Sequence, residues 1–148
     1  MARKRKEVWK AVKGFEGLYE VSNYGRVKSL ERIKTNQFNL PHFKQTGEKV
    51  WDKTLVKKEK FLSPTMDGCG YYHVVLGTPD GKSSLIKLHR LVAENFLPDF
   101  DPDLTVNHID HDKSNNTVWN LNMMSRTENI KDYLENLGRT YYKCVQTR

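Results

Sequence analysis

Apolar and polar residues alternate along three short runs near the start of the chain: Glu7 to Val12, Leu18 to Ser22, and Arg26 to Leu30. Gly14-Phe15-Glu16-Gly17 and Asn23-Tyr24-Gly25 separate them. Glycine and asparagine at such turns accept positive φ, so residues 8–31 read as a small β-rich unit behind a basic arm, residues 1–7. Residues 32–58 are polar and lysine-rich, broken by Pro41 and Gly47, and read as a long loop or insertion. Order resumes at 59–78. A strand is expected over Tyr71–Leu76, a turn at Pro79-Asp80-Gly81-Lys82, and a partner strand from Ser83 to Leu88. His89–Phe96 carries apolar residues at 91, 92 and 96 and reads as a short amphipathic helix ended by Leu97-Pro98. A loop from Asp99 to Leu104 leads to a short strand reaching Asn107-His108. A polar loop, a strand near Val118–Met124 and a final helix follow. Ser125 with Glu128 three residues on forms a capping box for that helix, and Gly138 is expected to stop it. Strands followed by segregated helices make the chain α+β.

At 148 residues this is one domain, or one domain with a small appendage. No apolar run approaches the length of a membrane span. The basic N-terminus runs into Glu7-Val8-Trp9-Lys10, not an apolar segment, so it does not read as a secretory signal. Cys69 and Cys144 lie far apart; a disulfide is open to them, but a reduced intracellular chain is the expectation. No Cys-x-x-Cys pair is present to hold a structural zinc. The net charge of +7 is uneven: residues 1–62 hold 16 Lys and Arg against 7 Asp and Glu, and residues 63–148 hold 9 against 11. A cation site in one part and a polyanion site in another would produce that split, as would a soluble protein with a basic tail.

The densest chemistry lies in Val106-Asn107-His108-Ile109-Asp110-His111-Asp112-Lys113-Ser114-Asn115-Asn116, continued by Asn120-Leu121 and Glu128-Asn129. The spacing of His108, Asn120 and Asn129 suggests metal-assisted phosphodiester chemistry, which needs an activated water, a cation at the phosphate and a stabilised leaving oxygen. His108 suits the general base. Asn107 and Asn129 offer amide oxygens to a hard cation, a single Mg²⁺ or Mn²⁺. Asn120 could tie the two strands together and keep His108 oriented. Asp110, His111, Asp112, Asn115 and Asn116 read as the loop that shapes the site. His89 packs or caps at its helix start, or touches a phosphate; His73 and His42 carry no assigned role.

Leu88-His89-Arg90-Leu91-Val92-Ala93-Glu94-Asn95-Phe96-Leu97-Pro98, Val106-Asn107-His108-Ile109-Asp110, Lys113-Ser114-Asn115-Asn116, Asn120-Leu121 and Ser125-Arg126-Thr127-Glu128-Asn129-Ile130 together resemble an HNH endonuclease of the phage- and intron-encoded homing group. Trp9 to Leu30 resembles the nuclease-associated modular domain of the fourth type. The resemblance implies a ββα-metal (His-Me finger) core over 59–148 and a DNA-binding role for 8–31. It implies His108 as general base, Asn120 as the residue orienting it, and Asn129 and Asn107 as metal ligands. Position 107 is often Asp in the family, so the amide predicts weak metal binding until DNA phosphate completes the site. Position 111 is usually Gly in this subgroup; His111 departs from that.

Duplex DNA is the implied partner, with no membrane and no small-molecule cofactor; no oligomeric state is encoded, and a monomer is the default. Arg3, Lys4, Arg5, Lys6, Arg26, Lys28, Lys57, Lys58, Lys60, His89 and Arg90 are the candidate DNA contacts, and the strands over 71–76 and 83–88 a candidate major-groove ribbon. The expected setting is the cytoplasm of a bacterial host, for a chain encoded by a phage or mobile element. A DNA-binding module with a weak or lapsed nuclease site is the second reading, and an RNA-binding or protein-interaction domain the third.

Overall fold

The computed structural model describes residues 5–35, 42–43, 45–47, 49–50, 54–78 and 80–146. In chain order the elements are β1 (Trp9–Ala11), β2 (Tyr19–Ser22), β3 (Val27–Ser29), β4 (Arg32–Thr35), β5 (His42–Phe43), β6 (Lys49–Val50), β7 (Thr54–Lys57), β8 (Lys60–Phe61), β9 (Thr65–Met66), β10 (Tyr72–Gly77), β11 (Ser83–Lys87), α1 (Leu88–Phe96), β12 (Thr105–His108), a 3-10 turn (Val118–Asn120), β13 (Leu121–Met124) and α2 (Arg126–Gln146). The α+β expectation holds.

The N-terminal sheet runs β1-β2-β3-β8, all antiparallel. Tyr19 and Val21 on β2 and Val27 on β3 turn inward and are buried, with Glu20 and Lys28 between them facing the other way, as a period of two requires. A second sheet, β11-β10-β9, buries Val74 and Leu76 and leaves Val75 and Leu85 opposite each other in solvent. α1 lays Leu88, Leu91 and Val92 onto both sheets. Val106 of β12 and Leu121 of β13 complete the same apolar cluster. The 8–31 unit therefore shares its core with the elements that carry the histidine motif. Polar bonds fix the union: the Tyr19 hydroxyl accepts from Gly77 N (2.9 Å) and donates to Gly77 O (3.1 Å), and buried Asn95 of α1 accepts from Lys13 N at 3.2 Å.

Two expectations change. Residues 32–58 are not an irregular loop throughout: β4 pairs with β7 from Arg32↔Lys57 to Thr35↔Thr54, and β5 pairs with β6. The facing Ile33 and Val56 are 69% and 58% exposed, so this apolar pair does not point to the core and gives no sign of the ribbon. Gly138 does not end the last helix, which continues to Gln146. An isolated glycine inside a helix costs only about 1 kcal/mol against alanine, too little to terminate it without a proline or a left-handed cap. The start of α2 is as expected: Ser125 N donates to Glu128 Oε2 (2.9 Å) and Glu128 N to Ser125 Oγ (3.2 Å).

Candidate active site

β12 and β13 form a four-rung antiparallel hairpin, Thr105↔Met124 to His108↔Leu121, with α2 packed against both strands. Alternation on β12 sends Val106 into the core, and Asn107 and His108 come to rest at the end of the strand, both buried. His108 Nε2 lies 3.1 Å from Asn116 Oδ1. The Asn116 amide is held the other way round by its own donors, Nδ2 bonding to Lys113 O (3.3 Å) and Ser114 O (3.1 Å). Its oxygen can therefore only accept, so the proton of a neutral His108 sits on Nε2 and Nδ1 carries the free lone pair. That is the protonation pattern a general base needs.

Asn120 acts one step further out than expected. It does not meet the His108 ring; its Oδ1 accepts from Asp110 N (3.1 Å), and its Nδ2 donates to Asp110 Oδ1 (2.8 Å) and Asn115 O (2.9 Å). Its backbone carbonyl accepts from Ile109 N at 2.9 Å. Asn120 thus clamps the loop that delivers Asn116. Burial acts to raise the Asp110 carboxyl, but the bonds from Asn115 and Asn120 outweigh it and hold it below its ordinary value. His111 sits at φ 61°, the left-handed region, where the subgroup's usual glycine would be unstrained.

A cleft of about 310 Å³ opens over this hairpin, lined by Tyr71, Asn107, His108, His111, Lys113, Asn129 and Tyr133 among others. It brings together three of the expected site residues, Asn107, His108 and Asn129. The donors suit a hard cation: amide oxygens at Asn107 and Asn129, with a carboxylate, Asp132, 3.5 Å from Asn107 Nδ2. No group of three or more His, Cys, Asp or Glu among the described residues is arranged to hold a metal, so any site here is built largely on amides.

The remaining candidates divide. His89 is buried at its helix start, its ring 5.2 Å from that of His108 and 5.1 Å from Tyr71. Burial, then the neighbouring His108, lower its imidazole to about 3, so it is neutral. Arg90 makes bonds within the chain. Its guanidinium donates to Leu104 O (3.2 Å) and Pro102 O (2.6 Å) and stacks over Phe100, pinning the loop before β12. Lys28 is largely neutralised by Glu20 (3.0 Å) and Glu59 (3.5 Å). Arg26 pairs with Glu7 and lies over Trp9 and Phe61, yet stays over half exposed. Lys57 is half-buried, and Lys58 and Lys60 are exposed. Arg5 stacks over Trp119 at 4.8 Å, next to the 3-10 turn, and Lys6 is exposed; Arg3 and Lys4 lie outside the described residues. Cys69 is a free, exposed thiol.

Asp132 and Tyr71 were given no role from the sequence, Lys113 was quoted only within the motif, and Asn116 was read only as part of the shaping loop. Lys113 Nζ donates to Cys69 O (2.9 Å) and lies 4.4 Å over the Tyr71 ring, placing a cation on the cleft wall.

Known proteins resemble both parts of the chain. The model described as "HNH endonuclease" matches residues 87–131, and the model described as "NUMOD4 motif" matches residues 7–77. A solved structure of the HNH homing endonuclease I-HmuI, described as binding and cleaving DNA, superposes with a TM-score of 0.64 at 28% identity over 87% of this chain. The chain thus carries an HNH endonuclease match behind a NUMOD4 match and is similar to the HNH homing endonucleases. DNA endonuclease I-HmuI of Bacillus phage SP01 is 30% identical over 85% of this chain. An uncharacterized HNH endonuclease of Acanthamoeba polyphaga mimivirus is 32% identical over 90%, and a putative HNH homing endonuclease of the SPbeta prophage of Bacillus subtilis is 35% identical over 57%. The chain spans 57%, 27% and 47% of those three proteins and 59% of the solved chain. HNH endonucleases generally use a divalent metal. The modular motif extends well beyond the 8–31 unit, through the β4–β7 ribbon to the end of β10. Among the described residues no helix is long and apolar enough to cross a membrane.

Proposed function

We propose that this chain is a divalent-metal-dependent DNA endonuclease that hydrolyses phosphodiester bonds in duplex DNA, nicking one strand or cutting both. The observation that carries the reading is the His108–Asn116 pair at the cleft: a buried imidazole with its proton fixed on Nε2 and its Nδ1 left basic. His108 takes the proton of the attacking water; Asn120 holds the loop that holds Asn116. Asn107 and Asn129 would bind a single Mg²⁺ or Mn²⁺. The cation would supply Lewis-acid stabilisation of charge on the phosphate and leaving oxygen. The products are 5′-phosphate and 3′-hydroxyl ends. Lys113 faces the same cleft and favours a polyanion there. Arg5 and Lys6, with Arg26, Lys57, Lys58 and Lys60, supply phosphate contacts that position the duplex without reading it. The phage and prophage relatives support a setting inside a bacterial cell.

Supercoiled plasmid with Mg²⁺ or Mn²⁺, with chelator, and with His108→Ala tests this. Metal-dependent relaxation that the variant loses supports the enzyme. Tight duplex binding with no cleavage under either metal would replace it with the lapsed, DNA-binding reading that the amide at 107 motivates.

A further inference from the structure

The family position before the first histidine is often a carboxylate, and here it is Asn107. A site of two neutral amides, Asn107 and Asn129, holds a dication weakly, because amide oxygens carry no charge to replace the ion's hydration. The loop carboxylates cannot make up the deficit. Asp110 accepts from Asp112 N, Asn120 Nδ2 and Asn115 Nδ2, and Asp112 accepts from Ser114 N and Oγ. Both are committed to the loop. Asp132 is not. It stands on α2 three residues after Asn129, so the two share a helix face. Its Oδ2 lies 3.5 Å from Asn107 Nδ2 and 3.6 Å from His111 Nε2, at the long limit of a hydrogen bond to either. Asn107, His111 and Asn129 all line the cleft beside His108. The carboxylate does not itself line the cleft, but it is held loosely by two side chains that do. Asn107 Nδ2 also donates to Asn122 Oδ1 at 3.3 Å; a half-turn of the amide gives up that bond and presents the Asn107 oxygen beside the Asp132 carboxylate.

We propose that Asp132 supplies the negative charge of the metal site: the carboxylate that position 107 lacks has moved across the cleft from β12 to α2, and Asp132 with Asn107 and Asn129 binds the divalent cation. This rests on the endonuclease reading above and deepens it. It also modifies one expectation from the sequence, since a site with one carboxylate holds metal before DNA arrives.

The test is a Mn²⁺ titration followed by electron paramagnetic resonance, on the full chain alone and again with duplex in a His108→Ala background that cannot cleave. Four forms are compared: the native chain, Asp132→Asn, Asn107→Asp, and the double variant Asn107→Asp/Asp132→Asn. Asp132→Asn should weaken Mn²⁺ binding by tenfold or more. The double variant should recover to within about threefold of the native chain, because the charge returns on the facing strand. A purely structural Asp132, holding His111 in place, predicts no such rescue, since the double variant leaves His111 without its partner. Unchanged Mn²⁺ affinity in Asp132→Asn, or a double variant as weak as the single one, overturns the proposal. If plasmid nicking by the native chain still depends on metal and His108 in that case, the endonuclease reading survives it. A native chain that neither binds Mn²⁺ nor nicks DNA overturns both.

Discussion

Gly25 is where the N-terminal sheet touches the catalytic hairpin. It is buried at φ +78°, and a Cβ there would lie 2.8 Å from the carbonyl oxygen of Asn116 and 3.1 Å from its Cβ. Gly25→Ala therefore has two separable costs. The left-handed backbone costs about 1–2 kcal/mol, less roughly 0.4–1 kcal/mol returned by the stiffer unfolded chain. The overlap with Asn116 adds about 1–3 kcal/mol, typical of an extra methyl in a packed site. Gly14 is the internal control: φ +77° and nothing within 4 Å of the added carbon. Gly14→Ala should lower stability by about 1 kcal/mol and Gly25→Ala by about 2–4 kcal/mol. In thermal unfolding that is roughly 2–4 °C for the first and at least twice as much for the second. Function should separate them further. Relief of the overlap moves Asn116 by some tenths of an ångström, and its 3.1 Å bond to His108 has little room before it is lost. Plasmid nicking should fall about tenfold in Gly25→Ala and stay native in Gly14→Ala, measured well below either melting temperature. Equal melting temperatures and equal nicking in the two variants would refute the coupling of the N-terminal sheet to the hairpin through this contact.

Asn116→Leu removes the hydrogen-bond partner of His108 Nε2 and frees the tautomer; nicking should fall by about one to two orders of magnitude, or roughly 1.4–2.7 kcal/mol, with duplex affinity in filter binding unchanged. At position 111, whose native φ is 61°, Gly should be tolerated better than Ala. Both substitutions lose the contact with Asp132, so the difference, about 1 kcal/mol in denaturant melts, isolates the backbone strain; an Ala variant as stable as the Gly variant contradicts the left-handed loop. His89 gives a pH signature. Its folded imidazole is lowered to about 3 from an ordinary 6.5, so between those values the unfolded chain binds a proton that the folded chain does not. Stability should be unaffected by this group above about pH 6.5 and fall by up to about 1.4 kcal/mol per pH unit below it. Urea melts at pH 7, 5.5 and 4.5 should show that slope in the native chain and a shallower one in His89→Leu; identical slopes would mean that His89 is not the buried neutral group described.

The elements that were legible in the sequence are those whose side chains face the core in a regular period. β2, β3 and β10 alternate because one face is buried, and α2 begins where a capping box satisfies its first amides. The β4–β7 ribbon was not legible because its facing apolar residues Ile33 and Val56 pair outside the core. The site followed the same division. Asn107 and His108 could be read because a strand end fixes them side by side, and Asn129 because it lies in the first turn of a helix with a marked start. Asn116 could not be told from Asn115: both fit a turn, and only the burial of the loop beneath Gly25 decides which amide meets His108. Arg90 was read only as a charge, because nothing in the sequence shows that the loop from Asp99 to Leu104 folds back and offers it two carbonyls. Asp132 was within reach of the pattern, since helical spacing puts it on the face of Asn129. A metal site needs charge near the ion, not at one place in the chain, and two elements that face each other across a cleft can exchange that charge without altering the fold.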